Sequence, residues 1–117
     1  PEFLEKYNST NEQGKVVLNI QKFIDAINSY DYNYAYNCLS TGFKTNYFKT
    51  VQDFEKYIES TLYAKNEVSY ESFEEQSGLY KYKVKITNKE NQTESTTKTF
   101  IVKLNDGTDF EMSFNVD

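Results

Sequence analysis

The sequence predicts an α+β domain in which about three N-terminal helices precede and cover a four-stranded antiparallel meander. Two observations carry this prediction. Up to about residue 65, apolar residues recur at helical spacing. Beyond it they alternate with polar ones, the period of strands that have one buried face and one wet face. At 117 residues the chain has room for one modest core.

The elements follow in order. Pro1-Glu2-Phe3 reads as a cloning-site remnant, and residues 4–14 as a polar linker without a clear period, a tether to something upstream. Residues 1–14 therefore stand outside the fold, and 15–117 form the single domain. The first helix spans about Lys15 to Ser29, with Val17, Ile20, Ile24 and Ile27 inward and Val16 and Phe23 widening the stripe. Asn19, Gln21, Lys22, Asp25 and Asn28 take its wet side. The alternation from Tyr30 to Asn37 fits a half-buried strand locally. A helix over 32–40 fits better, because Asp31 is a good N-cap and Tyr32, Ala35, Tyr36, Leu39 and Phe43 then share one face. Tyr30 and Tyr34 project elsewhere, towards a pocket mouth. Thr41 to Lys49 reads as a connection. Thr50-Val51-Gln52-Asp53 resembles a capping box and opens a third helix, which buries Val51, Phe54, Ile58 and Leu62 beside Tyr57.

The first strand, 67–75, places Val68 and Tyr70 on one face and Ser69, Glu71 and Phe73 on the other. Gln76-Ser77-Gly78 turns the chain. Strand two, 79–88, aims Tyr80, Tyr82, Val84 and Ile86 inward and Lys81, Lys83 and Lys85 outward, towards Glu71 and Glu75 of strand one. Strand three, 94–104, groups Phe100, Val102 and Leu104. Asn105-Asp106-Gly107 is a tight-turn signal. Strand four, 109–116, sets Phe110, Met112, Phe114 and Val116 against Asp109, Glu111, Ser113 and Asn115.

Composition narrows the chemistry. The 11 Tyr and 9 Phe, with no Trp, make an aromatic core whose hydroxyls each require a partner or water. A net charge of −5, a set of 13 cations that are all lysine, and no arginine argue against a nucleic-acid partner. No histidine is present, which removes Ser-His-Asp and Cys-His activation and histidine metal sites. Cys38 is the one cysteine and reads as a small buried hydrophobe. Neither a glycine-rich phosphate loop nor calcium-loop spacing occurs, so no metal or cofactor is expected. The Lys, Asn, Tyr, Ile and Phe bias is that of an AT-rich genome such as a low-GC Gram-positive bacterium.

The chain resembles the nuclear transport factor two-like superfamily, with its cystatin-like α+β cone, through Phe23-Ile24-Asp25-Ala26-Ile27, Tyr30-Asp31-Tyr32, Ala35-Tyr36, Leu39, Phe43-Lys44 and the Thr50–Tyr57 helix start. The likeness runs over about 14–117, and the chain resembles small extracytoplasmic domains of membrane- or lipid-anchored Gram-positive proteins. It implies a curved sheet wrapped around a long helix, with a pocket inside. Placed on this sequence, the candidate pocket residues are Tyr34, Phe43, Tyr57, Tyr70, Tyr80 and Tyr82. No carboxylate falls at the centre of a buried face, where an acid or base would acquire a useful pKa. The expected role is a non-catalytic binding or scaffolding domain, held outside the cell membrane by a missing anchor, that engages a protein partner or a small apolar ligand. One variant is the extracytoplasmic scaffold of a conjugative or type IV secretion system. The rival from another class is a small isomerase or dehydratase using Tyr and Glu. The outer sheet face is a common dimer surface in that superfamily, but the lysine row makes it wet here, leaving at most a weak homodimer.

Overall fold

The structure, a computed structural model, describes residues 2–116; Pro1, read as part of the remnant, and Asp117 lie outside the described residues. The elements, in order, are α1 (Glu2–Ser9), α2 (Glu12–Asn28), α3 (Tyr32–Asn37), α4 (Thr41–Tyr47), α5 (Val51–Thr61), β1 (Asn66–Gln76), β2 (Leu79–Asn88), β3 (Asn91–Leu104) and β4 (Phe110–Phe114). The strands form one antiparallel sheet in the order β1-β2-β3-β4, so the α+β meander preceded by helices is present.

The first difference from the sequence reading is α1, which occupies the stretch read as remnant and linker. Phe3 and Tyr7, four residues apart, stack at 5.6 Å, and Tyr7 is buried against α2. This also reverses the placement of Asn19. Read as solvent-facing, it is fully buried under α1, where its Nδ2 donates to Tyr7 Oη at 3.3 Å. Among the described residues its Oδ1 has no hydrogen-bond partner, a buried acceptor that lowers stability by roughly 1–3 kcal/mol relative to a satisfied one.

α2 begins at Asn11, whose Oδ1 accepts from Gly14 N at 2.9 Å, and buries Val16, Ile20, Phe23, Ile24 and Ile27. It ends in a Schellman arrangement. Tyr30 N donates to Ile27 O at 3.0 Å and Asp31 N to Ala26 O at 2.8 Å, with Tyr30 in the left-handed region at φ 62°. Asn28 does not face solvent as read. Its side chain accepts from Asn66 N at 2.8 Å and donates to Asn66 O at 3.0 Å, clasping the end of α2 to the start of β1.

Asp31 caps α3 as predicted, its carboxylate accepting from Tyr34 N at 3.2 Å. The helix stops at Asn37, short of 40, because Leu39 bridges to Met112 and Ser40 N donates to Met112 O at 2.9 Å. The segment after α3 thus lies along the outer edge of β4. Ser40 then caps α4, which stands where a connection was expected. Thr50 Oγ1 accepts from Asp53 N at 3.1 Å and opens α5, burying Phe54 and Ile58.

In the sheet, a bulge between Tyr70 and Ser72 changes the parity of β1 halfway along. Phe73, predicted outward, therefore joins Val68 and Tyr70 on the inner side and stands opposite Tyr82. Glu74 moves outward, opposite Lys81, and Glu75 comes inward beside Tyr80. The expected facing of Glu75 with the lysine row is replaced by Glu74 with Lys81. Ser77 and Gly78, both at positive φ, close the β1–β2 hairpin as a two-residue turn.

Candidate functional site

The inner face of the sheet divides into two aromatic groups. The first surrounds Phe23 of α2. Its ring lies 6.0 Å from Phe54, 5.8 Å from Phe100 and 5.9 Å from Phe114, in tilted and edge-on geometries that suit the ring quadrupoles. Phe43, predicted as pocket lining, packs edge-on to Phe114 at 4.9 Å and is buried. Tyr57, also predicted, stacks on Phe114 at 5.9 Å and tilts against Phe48 at 5.1 Å.

At this centre stands a residue that the sequence reading passed over, Lys98 of β3, only 4 % exposed. Its Nζ donates to Tyr57 Oη and, at 2.8 Å, to the Asn115 carbonyl. It lies 5.1 Å from the Tyr57 ring centre and 5.6 Å from that of Phe114. The signal was in the sequence: Lys98 shares the parity of Phe100, Val102 and Leu104, so the alternation itself aims it inward. The void bordered by Phe23, Tyr57, Lys98, Phe100 and Phe114 measures only about 10 Å³. That is about the space of a single water molecule and far below what a small organic ligand occupies. Among the described residues, no carboxylate lines it.

The second group lies where β1 and β2 approach their hairpin. Tyr70 and Tyr82 meet edge-on at 5.0 Å, Phe73 stacks with Tyr80 at 5.9 Å, and Phe73 tilts against Tyr82 at 5.1 Å. The hydroxyls find partners on α2. Gln13 Nε2 donates to Tyr82 Oη at 3.1 Å, and Tyr70 Oη donates to the Val17 carbonyl at 3.4 Å. Burial, with smaller contributions from Tyr82 and Asp25, pushes the Tyr70 hydroxyl up to about 12. Tyr80 is also raised, first by desolvation and then by Glu75 and Glu12. Outside it, Asn11, Glu12, Gln13, Phe73, Glu75 and Tyr80 border an open hollow.

Tyr34 belongs to neither group. It is exposed on α3 and borders a shallow hollow with Lys22, Cys38, Asp109 and Phe110. Cys38 donates its thiol to the Tyr34 carbonyl at 3.4 Å, and burial pushes that thiol up to about 11 against a weaker lowering by Lys22. A thiol so placed is almost wholly protonated near neutral pH and is a poor nucleophile. The six predicted residues therefore occupy three places: Phe43 and Tyr57 at a packed centre, Tyr70, Tyr80 and Tyr82 at the hairpin end, and Tyr34 on the surface.

The comparisons with protein-family models, curated proteins and solved structures found no match to this chain.

Proposed function

We propose that this chain is a non-catalytic binding or scaffolding domain that engages a protein partner through its surface. The observation that carries the reading is the packed interior. Phe23, Phe54 and Phe100 are fully buried, and the void beside Phe23 and Phe100 is only about 10 Å³. An isomerase or dehydratase of the kind considered from sequence requires a substrate-sized cavity with a carboxylate inside it. The filled centre favours a protein partner over a small apolar ligand for the same reason. A sheet curved around α2 into a cone belongs to this proposal, as do the extracytoplasmic location, the membrane anchor and the secretion-scaffold variant. Their support is the resemblance of the helix sequences to the nuclear transport factor two-like superfamily.

The test is a panel of apolar ligands (a fatty acid, indole and a steroid) titrated into the labelled protein and followed by NMR. The reading predicts no saturable shift around Phe23 and Phe100. Saturable binding there, with a matching rise in Tm, overturns it.

A further inference from the structure

The two edges of the sheet are treated differently. The chain covers its own β4 edge, where Leu39 bridges to Met112 and Ser40 N donates to Met112 O at 2.9 Å. The β1 edge carries 11 residues, and among the described residues only Asn66 has its outer backbone groups tied down, by the Asn28 side chain. Among the described residues, the backbone of 67–76 has hydrogen bonds only to β2. A row of unused N–H and C=O groups of this length is a template for another strand.

Its side chains say which strand. Glu67, Glu71 and Glu74 are exposed along β1, which carries no lysine. On the outer sheet face β2 answers with lysines: Lys81 stands opposite Glu74, Lys83 opposite Ser72 and Lys85 opposite Ser69. Acidic β1 thus stands beside basic β2. A second copy of β1 added to the edge would set glutamate against glutamate, which is destabilising for cross-strand neighbours. A strand bearing lysine or arginine gains the pairing that β2 already makes.

We propose that the open edge of β1, over 67–76, receives an extended, lysine- or arginine-bearing segment of a protein partner as an added strand. This rests on the binding role proposed above and supplies the partner's chemistry. The glutamates disfavour an identical strand while leaving the edge open to an oppositely charged one.

The test is NMR titration of the labelled protein with a synthetic peptide of alternating lysine and valine. Two controls are the glutamate-valine counterpart and the lysine-valine peptide with N-methylated backbone amides. Saturable shifts confined to the amides of 67–76 are expected, with the acidic and N-methylated peptides at least tenfold weaker. A Glu67→Lys/Glu71→Lys/Glu74→Lys variant, its fold checked by circular dichroism, is expected to lose tenfold or more for the basic peptide. Should that variant not fold, raising the salt concentration on the unaltered chain must weaken binding several-fold. No saturable binding, equal binding of the acidic or N-methylated peptide, or shifts of the β1 amides with protein concentration alone would each overturn the proposal. If the peptide fails while the interior still refuses apolar ligands, only this partner chemistry falls; uptake of ligand at Phe23 overturns the surface-partner role itself.

Discussion

The phenylalanine centre and the tyrosine end share one inner sheet face, yet they are built to different rules. Around Phe23, the rings of Phe54, Phe100 and Phe114 pack with one another, and tyrosines join at the margin, Tyr57 on Phe114 and Tyr32 and Tyr36 against Phe54. Towards the β1–β2 hairpin, Tyr70, Tyr80 and Tyr82 take over, and their hydroxyls reach the first turns of α2 or water. The contrast teaches that inward parity alone does not make a pocket. Where the helices press close, rings without polar atoms fill the space; where the sheet runs past them, a ring with a polar handle is required. Lys98 is the exception at the dry end, and it persists there because Tyr57 Oη and the Asn115 carbonyl accept from it.

The largest effect is expected at the dry end. Phe23→Ala removes a ring from three aromatic contacts and should destabilise the fold by roughly 3–5 kcal/mol, read by urea unfolding. That is a large fraction of the roughly 5–15 kcal/mol that hold a domain of this size folded. A loss under about 1 kcal/mol would mean that the centre is loosely packed. Next comes Lys98. Lys98→Ala should lose about 2 kcal/mol, by opening a void and removing the donor that Tyr57 Oη and the Asn115 carbonyl share. Lys98→Met fills the same space and should lose much less, since an apolar residue carries no desolvation penalty. Equal losses for the two variants would assign Lys98 an electrostatic role instead.

At the tyrosine end, Tyr80→Ala should cost about 1 kcal/mol, because that ring is only half-buried and stacks on Phe73 alone. A loss as large as that of Phe23→Ala would erase the distinction between the two regions. The smallest effect is the pH response of Tyr70. Its hydroxyl is raised to about 12 in the folded chain from the ordinary value of 10.0, so the folded chain keeps a proton that the unfolded chain gives up. Tyr70 therefore contributes its full stabilisation below pH 10, and this fades as pH rises from about 10 through 12. Ultraviolet titration should show a late-ionising tyrosine that Tyr70→Phe removes.

Much of this was legible in the chain. The strict alternation of Tyr80, Tyr82, Val84 and Ile86 placed β2 on its correct face, and Asp31 and Thr50 marked the starts of α3 and α5. Phe73 and Glu75 were misplaced because a bulge at Glu71 shifts parity without a glycine or proline to announce it. Asn19 was misplaced for a different reason. Its cover is α1, whose Phe3 and Tyr7 stand four apart, in a stretch that reads locally as remnant and polar linker. The end of α3 was set by a tertiary contact, Leu39 with Met112, that local propensity does not contain. Parity aims Tyr70, Tyr80 and Tyr82 inward, but it says which side of a sheet a ring takes and not how closely a helix presses on it.

The division of the inner face is tested most directly by fluorine NMR on protein carrying fluorinated phenylalanine and tyrosine, with a water-soluble paramagnetic chelate added. The resonances of Phe23, Phe54 and Phe100 should stay sharp at chelate concentrations that broaden Tyr80 and Tyr34. Broadening of Phe23 and Phe100 together with the tyrosines would show an interior open to solvent, and would contradict a domain that binds only through its surface.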